Sequence, residues 1–412
     1  MLSWRLYQAL LFILPLPLAG VHGWGWGLFA LLSFSSIALL LQQLSTNNPP
    51  AILRKSALVI ALLLAAPLVA FIQWSFSLSS APHESYLDVI QGLTLVCFYI
   101  LTLLHLNSEQ RIKRAIWLVI IAAAFQALYG SIMVMTGLEW GFFGPKTSYL
   151  GKATGTFVNR NHLAGYLEIS LALGIGFLLA STTRYSGDWQ QKLRQFIEML
   201  LSPKVIMRLL LAVMVIGLVM SRSRMGNTAF FASLMITGGL ALLLMKNKSA
   251  STTILLSSLL IIDIAIVGTF FGVEKVAERI QGSSIEKESR DEVTRDTFNM
   301  WLENPILGHG AGSYKYVFPN FKSDDVKLRT LYEYAHNDYL EFLAEYGALA
   351  FVCLALAVIL SFFWGLQAMR LRRNDLFKGL GFSTRQCLYV YFYFGDWLYR
   401  SLGPLFVHKK LW

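Results

Sequence analysis

Long apolar runs separated by short polar breaks occupy most of the chain. A membrane-crossing helix needs about 20 apolar residues at a rise of about 1.5 Å each. Runs of that kind fall at about 6–21, 24–44, 56–77, 87–106, 115–136, 163–181, 207–221, 227–245, 251–272 and 337–366, with an eleventh candidate near 386–407. The first run follows Arg5 and reaches Ala19-Gly20, which resembles a signal-peptide cleavage site. Another apolar run begins within a few residues, which predicts a retained helical hairpin instead.

One stretch breaks the pattern. From Val273 to Ala335, closed by His336-Asn337, the chain carries charge, glycine, proline and aromatics in an order that reads as a folded surface. Between Ser289 and Glu303 the apolar Val293, Phe298, Trp301 and Leu302 fall near helical spacing, with Arg290, Asp291, Arg295 and Asp296 around them. That spacing predicts an amphipathic helix lying on the membrane surface or over a cavity, stopped by Asn304-Pro305. Gly308-His309-Gly310-Ala311-Gly312 has neither the preceding strand nor the following helix of a dinucleotide-binding loop, so it reads as a turn. Tyr314, Tyr316, Phe318, Phe321, Tyr332 and Tyr334 are expected at an interface, as a lipid belt or a sugar-stacking surface. The resulting plan is a helix bundle over 1–272 with about nine helices, a long loop over 273–335, a tenth membrane helix over 336–366, and a basic, aromatic-rich end over 367–412.

Composition supports a polytopic all-α membrane protein. The 412 residues are 55% hydrophobic with a mean hydropathy of +0.53, and only 14% are charged, against roughly 25% in soluble domains. The net charge of +11 sits in short clusters between apolar runs. Such clusters set topology and meet anionic lipid headgroups, so nucleic acid is not implied as a partner. If the helices alternate, Arg5, Arg54-Lys55, the 111–114 cluster, the basic residues of 184–208, Lys246, Lys248 and the 370–378 cluster fall on one side. The positive-inside rule makes that side the cytoplasm. The links near Gly23 and Pro82, the loop 137–162, the turn at Ser221–Gly226 and the long stretch 273–335 then face outward. Cys97, Cys353 and Cys387 are odd in number, and the first two lie in apolar runs, so neither a disulfide framework nor a metal site is indicated.

Three outer segments carry candidate chemistry. Asn159-Arg160-Asn161-His162 opens the sixth helix, where exposed N–H groups favour an anion; an N-cap with a snorkelling arginine is the plainer reading. Ser221-Arg222-Ser223-Arg224 places two arginines in a tight turn on the side where positive charge is disfavoured, so either a headgroup anchor or a bound anion is expected. His336-Asn337 brings a side chain suited to proton transfer near neutral pH, with an ordinary pKa of about 6.5.

Taken together, Gly155-Thr156-Phe157, Asn159, Asn161-His162, Ala164, Ser223-Arg224, Gly226, Arg290 ahead of Trp301, Pro305, Gly308 and Gly310, and His336-Asn337 followed by Gly347 resemble the O-antigen ligase and O-antigen polymerase superfamily. The resemblance spans about 55–365. It implies a C-type glycosyltransferase-like helical fold with a large periplasmic loop in the bacterial inner membrane. It also implies transfer of a glycan from undecaprenyl diphosphate to an acceptor, without nucleotide sugar, metal or other cofactor. By resemblance, Arg224 and Arg290 match the family's essential arginines and His336 its essential histidine. Two departures stand out. Ala350 occupies a position that is usually Gly, Thr or Val, and 378–412 is unlike the family's further clean membrane helices, as expected of a truncated or frame-shifted reading frame.

The chemistry agrees. Displacing a diphosphate from an anomeric carbon builds negative charge that arginine binds bidentately. Arg224 and Arg290 are therefore expected on the diphosphate, His336 on the acceptor hydroxyl, and Asn159, Arg160, Asn161, Arg222, Arg295 and Asn337 as further substrate-binding candidates. No paired nucleophile and base appears, so a single inverting displacement is expected. Asp324-Asp325 stands alone, and no ligand-spaced cluster implies a metal. The acceptor reads as lipid A core, with a second repeat unit or a protein hydroxyl as alternatives. A transporter of anionic lipid or sugar is the non-enzymatic alternative. Against it, no internal repeat is evident, and Asp263 is the main charge near a helix centre.

Overall fold

The computed structural model describes residues 1–16, 23–43, 50–141, 144–180, 203–223, 226–227, 229–230, 284–323, 332, 334–335 and 337–371. Its helices are α1 (Leu2–Ile13), α2 (Gly23–Leu41), α3 (Ala51–Ser75), α4 (Pro82–His105), α5 (Glu109–Thr136), α6 (Arg160–Ala180), α7 (Pro203–Met220), α8 (Ser284–Glu303), α9 (Tyr314–Val317) and α10 (Asp338–Leu371). Two-residue strands β1 (Trp140–Gly141) and β2 (Gly144–Pro145) pair antiparallel inside the 137–159 loop. Among the described residues α2, α3, α4, α5 and α10 are long and apolar enough to cross a membrane, and 205–220 of α7 is a shorter apolar helix. The expected runs at 227–245 and 251–272, and the one near 386–407, lie essentially outside the described residues, as does the segment after Leu371.

α5 sits at the centre of one half, against α1, α6 and α7. Its sequence explains this: Ala115, Ala122, Ala123, Ala124, Ala127 and Gly130 form a buried face of small residues, which lets helix backbones approach where lipid supplies no hydrophobic drive between them. The approach is close at Gly217 of α7, where a Cβ would stand 2.5 Å from the Ala127 Cβ. In the other half α3 and α4 form a hairpin, and α10 lies on α3. At its first turns α1 is tied down by Ser3, whose hydroxyl meets His105 Nε2 at 2.8 Å and Ser36 Oγ at 2.9 Å.

The short links at 76–81 and 106–108 reverse the chain, so the ends of α3 and α5 and the starts of α4 and α6 share one face. Met220 at the end of α7 joins them, accepting the Ala153 N–H at 2.9 Å. The starts of α1 and α5 share the opposite face, where the Arg111 guanidinium lies 5.1 Å from the Trp4 ring centre. This arrangement separates the 54–55 and 111–114 clusters from the candidate site.

Four sequence expectations need correction. The first helix runs Leu2–Ile13, not 6–21; the chain leaves it before Pro15, whose carbonyl accepts from Gln126 Nε2 (3.0 Å) and Thr156 Oγ1 (3.1 Å). α10 is not continuous: Gly347, at φ 73° and ψ 175°, breaks it, because the Ile306–Leu307 backbone packs there and a Cβ would stand 2.1 Å from the Ile306 carbonyl oxygen. The surface helix buries Val293, Asp296, Thr297 and Met300 while Phe298 and Leu302 stay exposed, since Thr297 Oγ1 has a buried partner in the Tyr314 hydroxyl at 2.9 Å and Asp296 accepts from Ser323. Finally, Tyr314 and Phe318 are neither belt nor sugar platform. They are buried and stacked at 4.9 Å under α8, whereas Tyr316 is exposed and donates to Glu84 Oε1 at 3.0 Å.

Candidate active site at one membrane face

Two of the three sequence-predicted segments meet. Asn159 caps α6: it is buried, and its Oδ1 accepts the Asn161 N–H at 2.8 Å, the role its residue type favours. Asn161 then reaches across to the end of α7, its Oδ1 accepting from the Ser223 hydroxyl at 2.9 Å. Arg160 Nη1 donates to the Arg222 carbonyl at 3.1 Å while its guanidinium lies 5.8 Å from the Tyr149 ring centre. The turn itself is held by Ser223 N–H donating to Ser221 Oγ (3.2 Å) and by Asn227 Nδ2 donating to the Ser223 carbonyl (2.7 Å). Arg222 stands exposed at its tip in a left-handed conformation, φ 52°. Sequence positions some 60 residues apart thus form one polar seam immediately before Arg224.

The 137–159 loop supports that seam. Lys146 Nζ pairs with Glu139 Oε2 at 2.8 Å and donates to the carbonyls of Tyr149 (3.1 Å) and Lys152 (2.9 Å). Burial alone would raise the Glu139 carboxyl, but hydrogen bonds from Lys146 and the Gly151 N–H, with the Lys146 charge, outweigh it and hold the group below the usual range. This arrangement fixes Tyr149 where the Arg160 guanidinium can lie over it.

The long loop and α10 make the other part. Arg290 lies on α8, one helical turn and more from Arg295. Arg295 is tied down: its Nε meets Asp296 Oδ1 at 3.2 Å and its Nη2 donates to Ser323 Oγ at 2.7 Å. Asn337 caps α10, its Oδ1 accepting the Leu340 N–H at 3.4 Å, and the buried Glu341 accepts the Ala335 N–H on Oε2 at 2.8 Å. His336 and Arg224, and the side chain of Arg290, lie outside what is described. His309 is a fastener: its Nε2–H donates to the Met300 carbonyl at 2.8 Å and its Nδ1 receives Asn304 Nδ2 at 3.3 Å.

Sequence reasoning missed Gln73. This buried residue at the end of α3 donates to the carbonyls of Leu307 and Glu345 (2.8 Å for the latter) and accepts the Ala311 N–H at 3.0 Å. A polar residue near the end of the apolar run 56–77 was its only signal. Glu341 was likewise hidden in the first turn of a helix, where an acidic residue is ordinary. Among the described residues no group of three or more His, Cys, Asp or Glu is placed to hold a metal ion.

No curated protein matches the chain. A family model described as O-Antigen ligase matches residues 209–373, which take in most of α7, the long loop and α10. Over that stretch, which includes the Ser221–Ser223 turn and the Gly347-broken helix, the chain is similar to the O-antigen ligase family.

Proposed function

We propose that this protein transfers a glycan from undecaprenyl diphosphate to an acceptor hydroxyl at the periplasmic face of the bacterial inner membrane, as an O-antigen ligase-type enzyme acting on lipid A core. The observation that carries the reading is the family match over 209–373, which includes the Ser221–Ser223 turn joined to Asn161. The acceptor oxygen attacks the anomeric carbon and its proton passes to His336. The bond to the diphosphate breaks, and the departing negative charge is met by Arg224 and Arg290, with Arg160 and Arg222, joined to each other at the turn before Arg224, as further candidates. One displacement inverts the anomeric centre. Arginine suits this work because it stays charged in a partly dry site and matches phosphate geometry.

The test is transfer by purified protein in nanodiscs from an undecaprenyl-diphosphate oligosaccharide, with lipid A core, a second lipid-linked repeat and a pilin peptide offered separately. Product with lipid A core alone supports the ligase reading; product with either other acceptor alone replaces it with a polymerase or a protein transferase. Arg224→Ala, Arg290→Ala and His336→Ala each abolish transfer while inserting normally, and near-normal transfer removes that residue from the mechanism. A general base contributes typically 10²–10⁴-fold, which sets the loss expected at His336. Chelation by EDTA leaves the rate unchanged; a loss restored by Mg²⁺ overturns the metal-free route.

A further inference from the structure

The last two turns of α8 present two unlike flanks. At about 100° per residue, Val293 and Met300 define the buried side, Trp301, Phe298 and Leu302 form one flank, and Asn299 and Glu303 lie on the other. The apolar flank is open: Phe298 is 43% exposed, Leu302 53% and Ile306, just beyond the helix, 67%. Trp301 needs no water for its ring N–H, which donates to the Pro305 carbonyl at 3.1 Å, and its ring is tilted 54° to that of Phe298 with centres 5.4 Å apart.

This edge adjoins an exposed apolar row on α10. The Leu349 N–H donates to the Ile306 carbonyl at 3.3 Å, so the two residues are neighbours at the break in α10. Below them Leu349, Val352, Leu356, Ile359 and Phe363 recur at three- and four-residue intervals, all exposed and all apolar, along a helix long enough to span the bilayer. Such a row suits a lipid-facing side of α10. Phe298, Leu302 and Ile306 extend it past Gly347 to headgroup height, with two aromatic rings where aromatic residues favour the interface.

We propose that the Phe298–Trp301–Leu302–Ile306 edge of α8 is seated in the lipid leaflet on the candidate-site face, anchoring the long loop at the headgroup boundary. The occupant is the leaflet itself, argued from continuity with the α10 lipid face, and the inference does not depend on glycan transfer. Its consequence is positional: the helix that carries Arg290 and Arg295 is held at the depth of a lipid-borne phosphate, with its polar flank left to water.

The test is collisional accessibility of a nitroxide placed singly at Leu302, Ile306, Asn299, Glu303 and, as a lipid-facing reference, Leu356. The full chain is used in nanodiscs, with Cys97, Cys353 and Cys387 replaced by alanine. Labels at Leu302 and Ile306 should meet oxygen severalfold more than an aqueous nickel chelate, as at Leu356, and labels at Asn299 and Glu303 should show the reverse. Free collision with nickel at Leu302 and Ile306 overturns the proposal. Labels there that neither agent reaches also overturn it, since that outcome means a protein surface covers the edge. Because all five positions are exposed, labelling leaves the fold in place, and an unshifted melting temperature checks this.

Discussion

The side-chain amide of Gln73 donates to the Glu345 carbonyl at 2.8 Å, joining the end of α3 to the helix after His336 across 272 residues of sequence. The same amide group also binds Leu307 and Ala311, so one buried side chain satisfies three main-chain groups of two separate segments. Gln73→Leu keeps the volume and removes all three bonds, leaving buried carbonyls and an N–H without partners. Orphaned buried groups cost about 1–3 kcal/mol each as an upper range, with non-additive sums. A fall of several degrees in melting temperature in detergent is the expected result, and an unshifted melt means the staple is not stabilising.

Gly347 and Gly137 share a left-handed backbone, φ 73° and φ 68°, yet they differ in surroundings. A Cβ at Gly347 would meet the Ile306 carbonyl oxygen at 2.1 Å, whereas at Gly137 nothing lies within 4 Å. Gly137→Ala should therefore cost about 1 kcal/mol from conformation alone. Gly347→Ala should cost clearly more, because main chain cannot move aside as a side chain can. Equal shifts in melting temperature for the two variants contradict the packed break.

The long membrane helices were legible because lipid demands uninterrupted apolar length, a signal carried by every residue of a span. Asn304-Pro305 as a stop and Gly308–Gly312 as a turn were legible for a similar reason, since their backbone preferences are local. The break at Gly347 was not. A glycine in an apolar helix usually marks close packing, and only the Ile306–Leu307 backbone seated against it makes it a bend. The aromatics misled because Tyr314 and Phe318 fit a belt by composition, whereas their burial depends on the partners Thr297 and α8 supply. At the site, the meeting of Asn161 with Ser223 could be expected only as a shared face; the bond itself is tertiary.

That bond is testable as a coupling. If the Asn161–Ser223 contact positions the turn before Arg224, then Asn161→Ala and Ser223→Ala should each slow glycan transfer, and the double variant should be little worse than either. Groups in one hydrogen-bond network show interaction energies of about 0.5–3 kcal/mol. Effects on kcat/KM that simply multiply in the double variant show the two residues act independently.

The ion pair beneath this seam gives a pH signature. Glu139 and Lys146 are 15% and 8% exposed at their side chains, and the Glu139 carboxyl is held below its usual value near 4.5 by Lys146 and the Gly151 N–H, which outweigh burial. A carboxyl depressed in the folded state contributes stability above its unfolded pKa and loses it as pH falls through the folded one. Glu139→Gln removes that contribution and leaves the Lys146 charge largely buried, a loss of about 1–3 kcal/mol for hydrogen bonds to charged groups. The melting-temperature gap between the native chain and Glu139→Gln should be constant from neutral pH down to about 5, the upper edge of the unfolded carboxyl titration. It should then shrink steadily as pH drops further. A gap that widens on acidification has the wrong sign for a depressed carboxyl, and no gap at neutral pH means the pair does not hold the loop that places Tyr149 beneath Arg160.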